Sequence, residues 1–215
     1  PSKAAKGDEL YEQVFESLSD SVNIHKAGDV PIGIFLSGGV DSSANAKLFS
    51  TGSNNPIKTF SIGYDADYET YTNELPFARQ MADEVGAIHH EKLLSENDLL
   101  DFLPEMIRLQ DEPIADPVCM PVYYVSKLAR DNGIKVCQVG EGADELYWGY
   151  ESWKPWQKLQ HWTNNPYANI LSKFGIHSME LAGKTNNRIY DALSRAAVKK
   201  PAFWSSAQGP TRYEL

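Results

Sequence analysis

The sequence is short of cations, short of cysteine and without any long apolar run. Its 20 lysines and arginines are outnumbered by 29 aspartates and glutamates, a formal charge of -9 over 215 residues. Binding along a phosphate backbone needs clustered Lys and Arg, so this balance speaks against a nucleic-acid partner. No stretch approaches the roughly 18 consecutive apolar residues of a membrane span, and no basic-then-apolar leader opens the chain. A cytoplasmic protein with no membrane partner is expected. The two cysteines, Cys119 and Cys137, form no Cys-x-x-Cys pair and sit among apolar neighbours, the pattern of reduced core residues rather than of a disulfide or metal site. Neither a Gly-x-Gly-x-x-Gly fingerprint nor the Gly-Lys-Ser/Thr of a Walker A loop accompanies the glycines of the N-terminal half.

What is present centres on Val30-Pro31-Ile32-Gly33-Ile34-Phe35-Leu36-Ser37-Gly38-Gly39-Val40-Asp41-Ser42-Ser43. The apolar run 31–36 suits a buried parallel strand. Two successive glycines then leave room for a bulky anion to approach the backbone amides. A helix opening at Asp41 would add unpaired N–H groups and a partial positive charge, with the Ser37 and Ser42 hydroxyls as further donors. A pyrophosphate fits such a turn. Asp41 would repel it unless a divalent cation lay between them, so Asp41 reads as a Mg²⁺ ligand.

A second constellation closes the strand expected over 134–139: Gly140-Glu141-Gly142-Ala143-Asp144-Glu145-Leu146-Tyr147-Trp148-Gly149-Tyr150. If the two strands are neighbours, Asp144 can share one Mg²⁺ with Asp41 across bound phosphates. Glu141, flanked by small residues, can take a proton from an attacking amine.

Between these motifs the patterning predicts a helix over 8–27, lying on one sheet face, a strand over 57–64, a helix over 73–85 and a strand over 87–94. A Ser95-capped helix to 109 and a helix over 122–131 started by Pro121 follow. Alternating strands and helices mean an α/β fold: a mostly parallel sheet with helices on both faces and ligands at the carboxyl ends of the strands. His89 and His90 are adjacent in a strand and point to opposite faces, so they do not share a metal. The acids Asp111, Glu112 and Asp116 of the irregular 110–120 stretch either contact a substrate amine or are solvated turn residues.

The pair Ser-Gly-Gly-Val-Asp-Ser-Ser and Gly-Glu-Gly-Ala-Asp-Glu-Leu-Tyr-Trp-Gly-Tyr, with Thr59-Phe60-Ser61-Ile62-Gly63 and His89-His90-Glu91, resembles the synthetase domain of the glutamine-dependent asparagine synthetases. The likeness runs over about residues 10–150 and implies the PP-loop ATP pyrophosphatase, or adenine nucleotide alpha hydrolase-like, fold. It implies an ATP- and Mg²⁺-dependent ligase that adenylates a carboxylate, aspartate first among candidates, and transfers ammonia supplied by a separate glutaminase domain. Ser37, Gly38, Gly39 and Ser42 would hold pyrophosphate, Asp41 and Asp144 the Mg²⁺, and Glu141 the ammonia proton. Leu36, Ile62 and Gly140 would line the adenosine pocket, a role that comes from the resemblance alone. Thiolating PP-loop enzymes depend on paired cysteines, which are missing.

The chain begins Pro1-Ser2-Lys3, with neither a nucleophilic cysteine nor a glutaminase half, and the family's downstream lysine has no counterpart that can be placed. A fragment of a longer enzyme, with a homodimer as one assembly, is therefore expected. The alternatives are an amidotransferase or β-lactam synthetase-like ligase with another acceptor, or a non-catalytic nucleotide-binding module. We expect residues 1–150 to form the synthetase domain and 151–215 a helical extension. In that extension Trp153, Trp156, Leu159 and Trp162, and Ile189, Leu193, Ala196 and Ala197, recur at helical spacing as core or interface stripes.

Overall fold

Four short segments become four parallel strands in the computed structural model, which describes residues 7–53, 55–66, 73–112, 116, 118–147, 149–165, 167–185 and 188–200. The chain divides into two compact units, Pro1–Glu141 and Gly142–Leu215.

In the first unit α1 (Asp8–Ile24) precedes β1 (Ile32–Phe35), α2 (Val40–Ser50), β2 (Lys58–Tyr64), α3 (Leu75–Glu84) and β3 (Ile88–Leu94). Then come α4 (Glu96–Leu109), α5 (Cys119–Asp131) and β4 (Val136–Gln138). The strand order is β3-β2-β1-β4, every pairing parallel. From β1 the chain moves outward through β2 to β3, then returns to the other side of β1, so the order reverses between β1 and β4. A crevice at the carboxyl ends of those two strands is where ligands of open α/β sheets bind.

Alternation along the strands feeds two cores. Ile34 and Leu36 pack with Val22 of α1, Ala46 and Phe49 of α2, Ile57, and Ala78 and Ala82 of α3 on one face. Phe60 packs with Val125 and Ala129 of α5 and with Ile134 on the other. Helices thus cover both faces of the sheet. α4 starts at a capping box: the Asp98 amide donates to Ser95 Oγ at 3.1 Å, and the Ser95 amide to Asp98 Oδ2 at 2.9 Å. The Ser95 backbone and side-chain donors hold the Asp98 carboxyl below its ordinary range.

Three expectations change. α1 does not lie along a sheet face: only Val22 in its last turns is buried, while Leu10, Tyr11, Phe15 and Leu18 stay exposed. The reason is that α1 meets the body of the unit only near its end, where Lys26, just past the helix, donates to the Leu48 and Thr51 carbonyls at 2.9 and 3.0 Å. α5 begins at Cys119 rather than after Pro121, since proline is tolerated in a first turn whose N–H groups lack partners. β4 spans Val136–Gln138 only, because it pairs with β1 at residues 32–34 and nowhere else.

The second unit is helical among its described residues: α6 (Ala143–Tyr147), a 3₁₀ turn (Glu151–Trp153), α7 (Lys154–Thr163), α8 (Ala168–Leu181) and α9 (Arg188–Ala197). α8 and α9 pair through Gly175 against Leu193 and a Tyr190 hydroxyl donating to Glu180 at 2.8 Å. Of the two expected stripes, Ala196 is buried and Leu193 packs, whereas Ile189 and Trp162 are exposed. The Trp156 side chain, the apolar segment 201–206 and residues 67–72 of the loop after β2 lie outside the described residues. Among the described residues no helix is long and apolar enough to cross a membrane.

Candidate nucleotide site

Ser37-Gly38-Gly39 leaves β1 and feeds directly into α2, whose N-cap is Gly39 and which therefore has no side-chain cap. The N–H groups of Val40, Asp41 and Ser42 in its first turn have no intrahelical acceptor, a ready site for an anion. Gly38 has φ of 89°, a region that suits glycine, and a Cβ there would stand 2.7 Å from the Ala78 amide nitrogen and 2.9 Å from the Glu74 carbonyl oxygen. The turn is thus wedged against the start of α3.

Ser42 is 8% exposed and turned inward. Its hydroxyl accepts from the Ser37 amide at 3.2 Å, lies 2.9 Å from the Ser37 hydroxyl and donates to the Gly39 carbonyl at 3.2 Å. Ser37 Oγ in turn accepts from the Gly39 amide at 3.2 Å. Ser42 therefore shapes the loop, while Ser37 is the exposed residue at its rim.

Asp41 is half-buried in the first turn of α2 and makes no hydrogen bond or ion pair through its side chain among the described residues. Glu141, exposed, follows β4 by three residues and is likewise without a partner among them. Gly140 joins the two motifs. A Cβ on it would come within 3.1 Å of the Asp41 carbonyl carbon and the Ser42 nitrogen, so the end of β4 runs against the first turn of α2, closer than a side chain fits without a small shift. Asp144 belongs to the second unit, in the first turn of α6, with its carbonyl accepting from the Gly149 amide at 3.0 Å.

The remaining expected contacts are spread along the sheet. The Leu36 side chain is 1% exposed in the core, its amide donating to the Phe60 carbonyl at 2.9 Å and its carbonyl accepting from Ser61 Oγ. Ile62 is half-buried against the cluster of Phe60 and Val125, on a stretch of β2 that extends beyond its pairing with β1. Sequence reasoning gives Ser61 no role of its own, although a hydroxyl inside a buried strand is a signal: it anchors the last residue before the glycine turn. The support of Gly38 by α3 has no such signal, since it depends on how a distant helix docks.

His89 and His90 do diverge. His90 stacks on Phe60 at 5.3 Å between ring centroids, and burial, then Lys58 and His89, lower its pKa. His89 lies between Thr59 Oγ1 at 2.7 Å and Glu91 Oε1 at 2.9 Å. Burial pushes the Glu91 carboxyl up, but Arg79 and His89 outweigh it and hold it below its ordinary range. Asp111, Glu112 and Asp116 are exposed, and among the described residues no group of three His, Cys, Asp or Glu side chains is drawn together. A phosphate-bridged Mg²⁺ needs fewer protein ligands than that, and an unpaired carboxylate beside open helix amides is a donor set that fits one.

The sequence matches the family model described as asparagine synthase over residues 13–212. Asparagine synthetase (glutamine-hydrolyzing) 1 of Bacillus subtilis is 37% identical over 161 residues, covering 71% of this chain and 24% of that protein. A putative asparagine synthetase (glutamine-hydrolyzing) of Mycobacterium tuberculosis is 39% identical over 140 residues, 65% of this chain and 21% of that protein. The chain thus spans under a quarter of the length of these relatives. An NH3-dependent NAD synthetase from Campylobacter jejuni, solved with a nitrate ion, aligns over 93% of this chain and 99% of its own, with a TM-score of 0.44 and 13% identity.

Proposed function

The chain belongs to the asparagine synthase family, and on that premise we propose that it is the ATP-dependent amide-forming domain of such an enzyme, with aspartate as the carboxylate and ammonia as the nucleophile. The observation that carries the reading is Gly140 seated on the first turn of α2, which brings the ends of β1 and β4 to one crevice. Mg-ATP supplies the adenylyl group and a pyrophosphate leaving group. Attack of the carboxylate oxygen on the α-phosphorus releases pyrophosphate; attack of ammonia on the acyl carbon then releases AMP.

In this reading the Gly38 amide and those of the first turn of α2 bind the pyrophosphate, Gly39 leaves room for it, Ser37 stands at the rim and Ser42 keeps the turn in shape. Asp41 is the proposed Mg²⁺ ligand, and Asp144 is proposed as a second one from its motif alone. Leu36, Ile62 and Gly140 border the adenosine, Leu36 through its backbone because its side chain is in the core. Glu141, exposed and without a partner among the described residues, takes the proton that ammonia loses. A glutaminase domain is the proposed source of ammonia.

Pyrophosphate release, measured with Mg-ATP, ammonia and a panel of carboxylates, tests the proposal. Release that depends on aspartate supports it, release with a different acid moves the acceptor, and nucleotide binding without turnover refutes it. Asp41→Asn should weaken Mg-ATP binding by roughly tenfold or more, the loss of one charge-assisted metal contact. Glu141→Gln should leave that binding intact and stop amide formation.

A further inference from the structure

We propose that Arg79 and Glu91 are positioning residues for the phosphate turn, an inference that rests on the nucleotide reading of that turn. Neither touches the turn itself. Arg79 follows Ala78, whose amide abuts Gly38, and its guanidinium forks onto Glu91 of β3: Nε to Oε1 and Oε2 at 2.8 and 2.9 Å, Nη2 to Oε2 at 2.6 Å. Glu91 also pairs with His89 Nε2 at 2.9 Å, and His89 Nδ1 lies 2.7 Å from the fully buried Thr59 on β2. Two residues along β2, Ser61 Oγ donates to the Leu36 carbonyl, just ahead of Ser37.

Both sides of the glycine turn therefore hang on polar groups of one sheet face: the end of β1 through Ser61, and the start of α3 through Arg79, Glu91, His89 and Thr59. The apolar contacts of α3 fix its distance from the sheet more than its register. Leu75 anchors the first turn against β2, but Ala78, beside the glycine turn, and Ala82 are small side chains that interlock little, and apolar contact is non-directional. A bidentate guanidinium–carboxylate pair is directional and fixes the helix in register. Arg79 is also 57% exposed on its side chain, so the pair adds little to global stability, and its main effect is on where α3 sits.

The test uses the full chain, with two readouts in parallel: Mg-ATP affinity by calorimetry, and amide hydrogen exchange over residues 37–42 without nucleotide. Arg79→Gln and Glu91→Gln should each weaken affinity about fivefold and speed exchange in the turn, Arg79→Gln with little change in melting temperature. Arg79→Lys, which keeps the charge and loses the fork, should fall between them and the parent. The double variant should be no worse than either single one, because both break one link. Val125→Ala, in the core on the opposite face, should lower the melting temperature and leave the turn's exchange unchanged. Unchanged exchange in both Gln variants, or equal acceleration in Val125→Ala, overturns the inference. A parent that binds no Mg-ATP defeats the nucleotide reading instead, while exchange still decides whether α3 holds the turn.

Discussion

Replacing Gly140 by alanine tests the join between the two motifs with the smallest possible change. Gly140 is not among the glycines with positive φ, so the substitution brings no backbone strain and acts by contact alone. The added methyl would stand 3.1 Å from the Asp41 carbonyl carbon and the Ser42 nitrogen, and 3.2 Å from the Asp41 oxygen. Carbon contacts are comfortable at about 3.5–4.0 Å, so the first turn of α2 must retreat by a few tenths of an ångström. Overpacking of this kind costs about 1–3 kcal/mol, and the stiffer unfolded chain of alanine offsets about 0.4–1 kcal/mol. The net loss of about 1 kcal/mol lowers the melting temperature by roughly 2–4 °C in a chain of this size.

Binding should suffer as well as stability. The atoms that retreat carry the amides proposed to meet the phosphates, and a 1 Å misplacement costs roughly a hundredfold in a catalytic site. A shift of about 0.3–0.5 Å then predicts a roughly four- to tenfold loss of Mg-ATP affinity and of pyrophosphate release. Gly140→Val should extend both effects. Calorimetry with Mg-ATP beside scanning fluorimetry gives the comparison, and an alanine variant that binds Mg-ATP like the parent would refute the placement of the nucleotide over α2.

Gly38→Ala should be the harsher change, because a left-handed φ costs about 1–2 kcal/mol on top of contacts with the backbone of α3; a fall of several degrees in melting temperature checks it. Ser42→Ala should cost about 1–3 kcal/mol in denaturant unfolding, since it leaves the Ser37 amide without its acceptor. Acid should destabilise the fold in two windows. The lowered His90 pKa contributes stability that is complete above the ordinary value of 6.5 and is lost as pH falls through the folded value. The lowered Glu91 pKa does the same below 4.5, and urea midpoints from about pH 7.5 to 4 should show the first slope flattened in His90→Gln. Burial pushes the Cys137 thiol up to about 11, so iodoacetamide at about pH 8 should leave it unmodified in the folded chain by mass spectrometry.

Much of the fold around the glycine turn was legible before folding. The run 31–36 and the turn after it have the composition of a buried strand and an anion cradle, and Asp41 stands out because a carboxylate beside phosphate calls for a cation. The expected strand and helix boundaries hold to within a few residues, because periodicity and caps such as Ser95 with Asp98 are local. Where sequence reasoning falls short, the deciding contact is distant. α1 has the pattern of a helix packed along the sheet, yet amphipathicity carries no information on how much of that face finds a partner. Nor does the sequence signal that the Ser42 hydroxyl closes the loop onto the Ser37 amide and the Gly39 carbonyl.

By itself the sequence determined which chemistry is on offer: glycines that admit an anion, acids that call for a cation, and four segments able to be strands. Only the tertiary structure decided that β4 lies beside β1, that Gly140 rests on α2 and that α3 supports Gly38. Strands pair through backbone groups common to every residue, so an apolar run says that it will enter a sheet and not which neighbour it will take. That choice is made by the packing of the helices on both faces, through contacts between residues far apart in the chain.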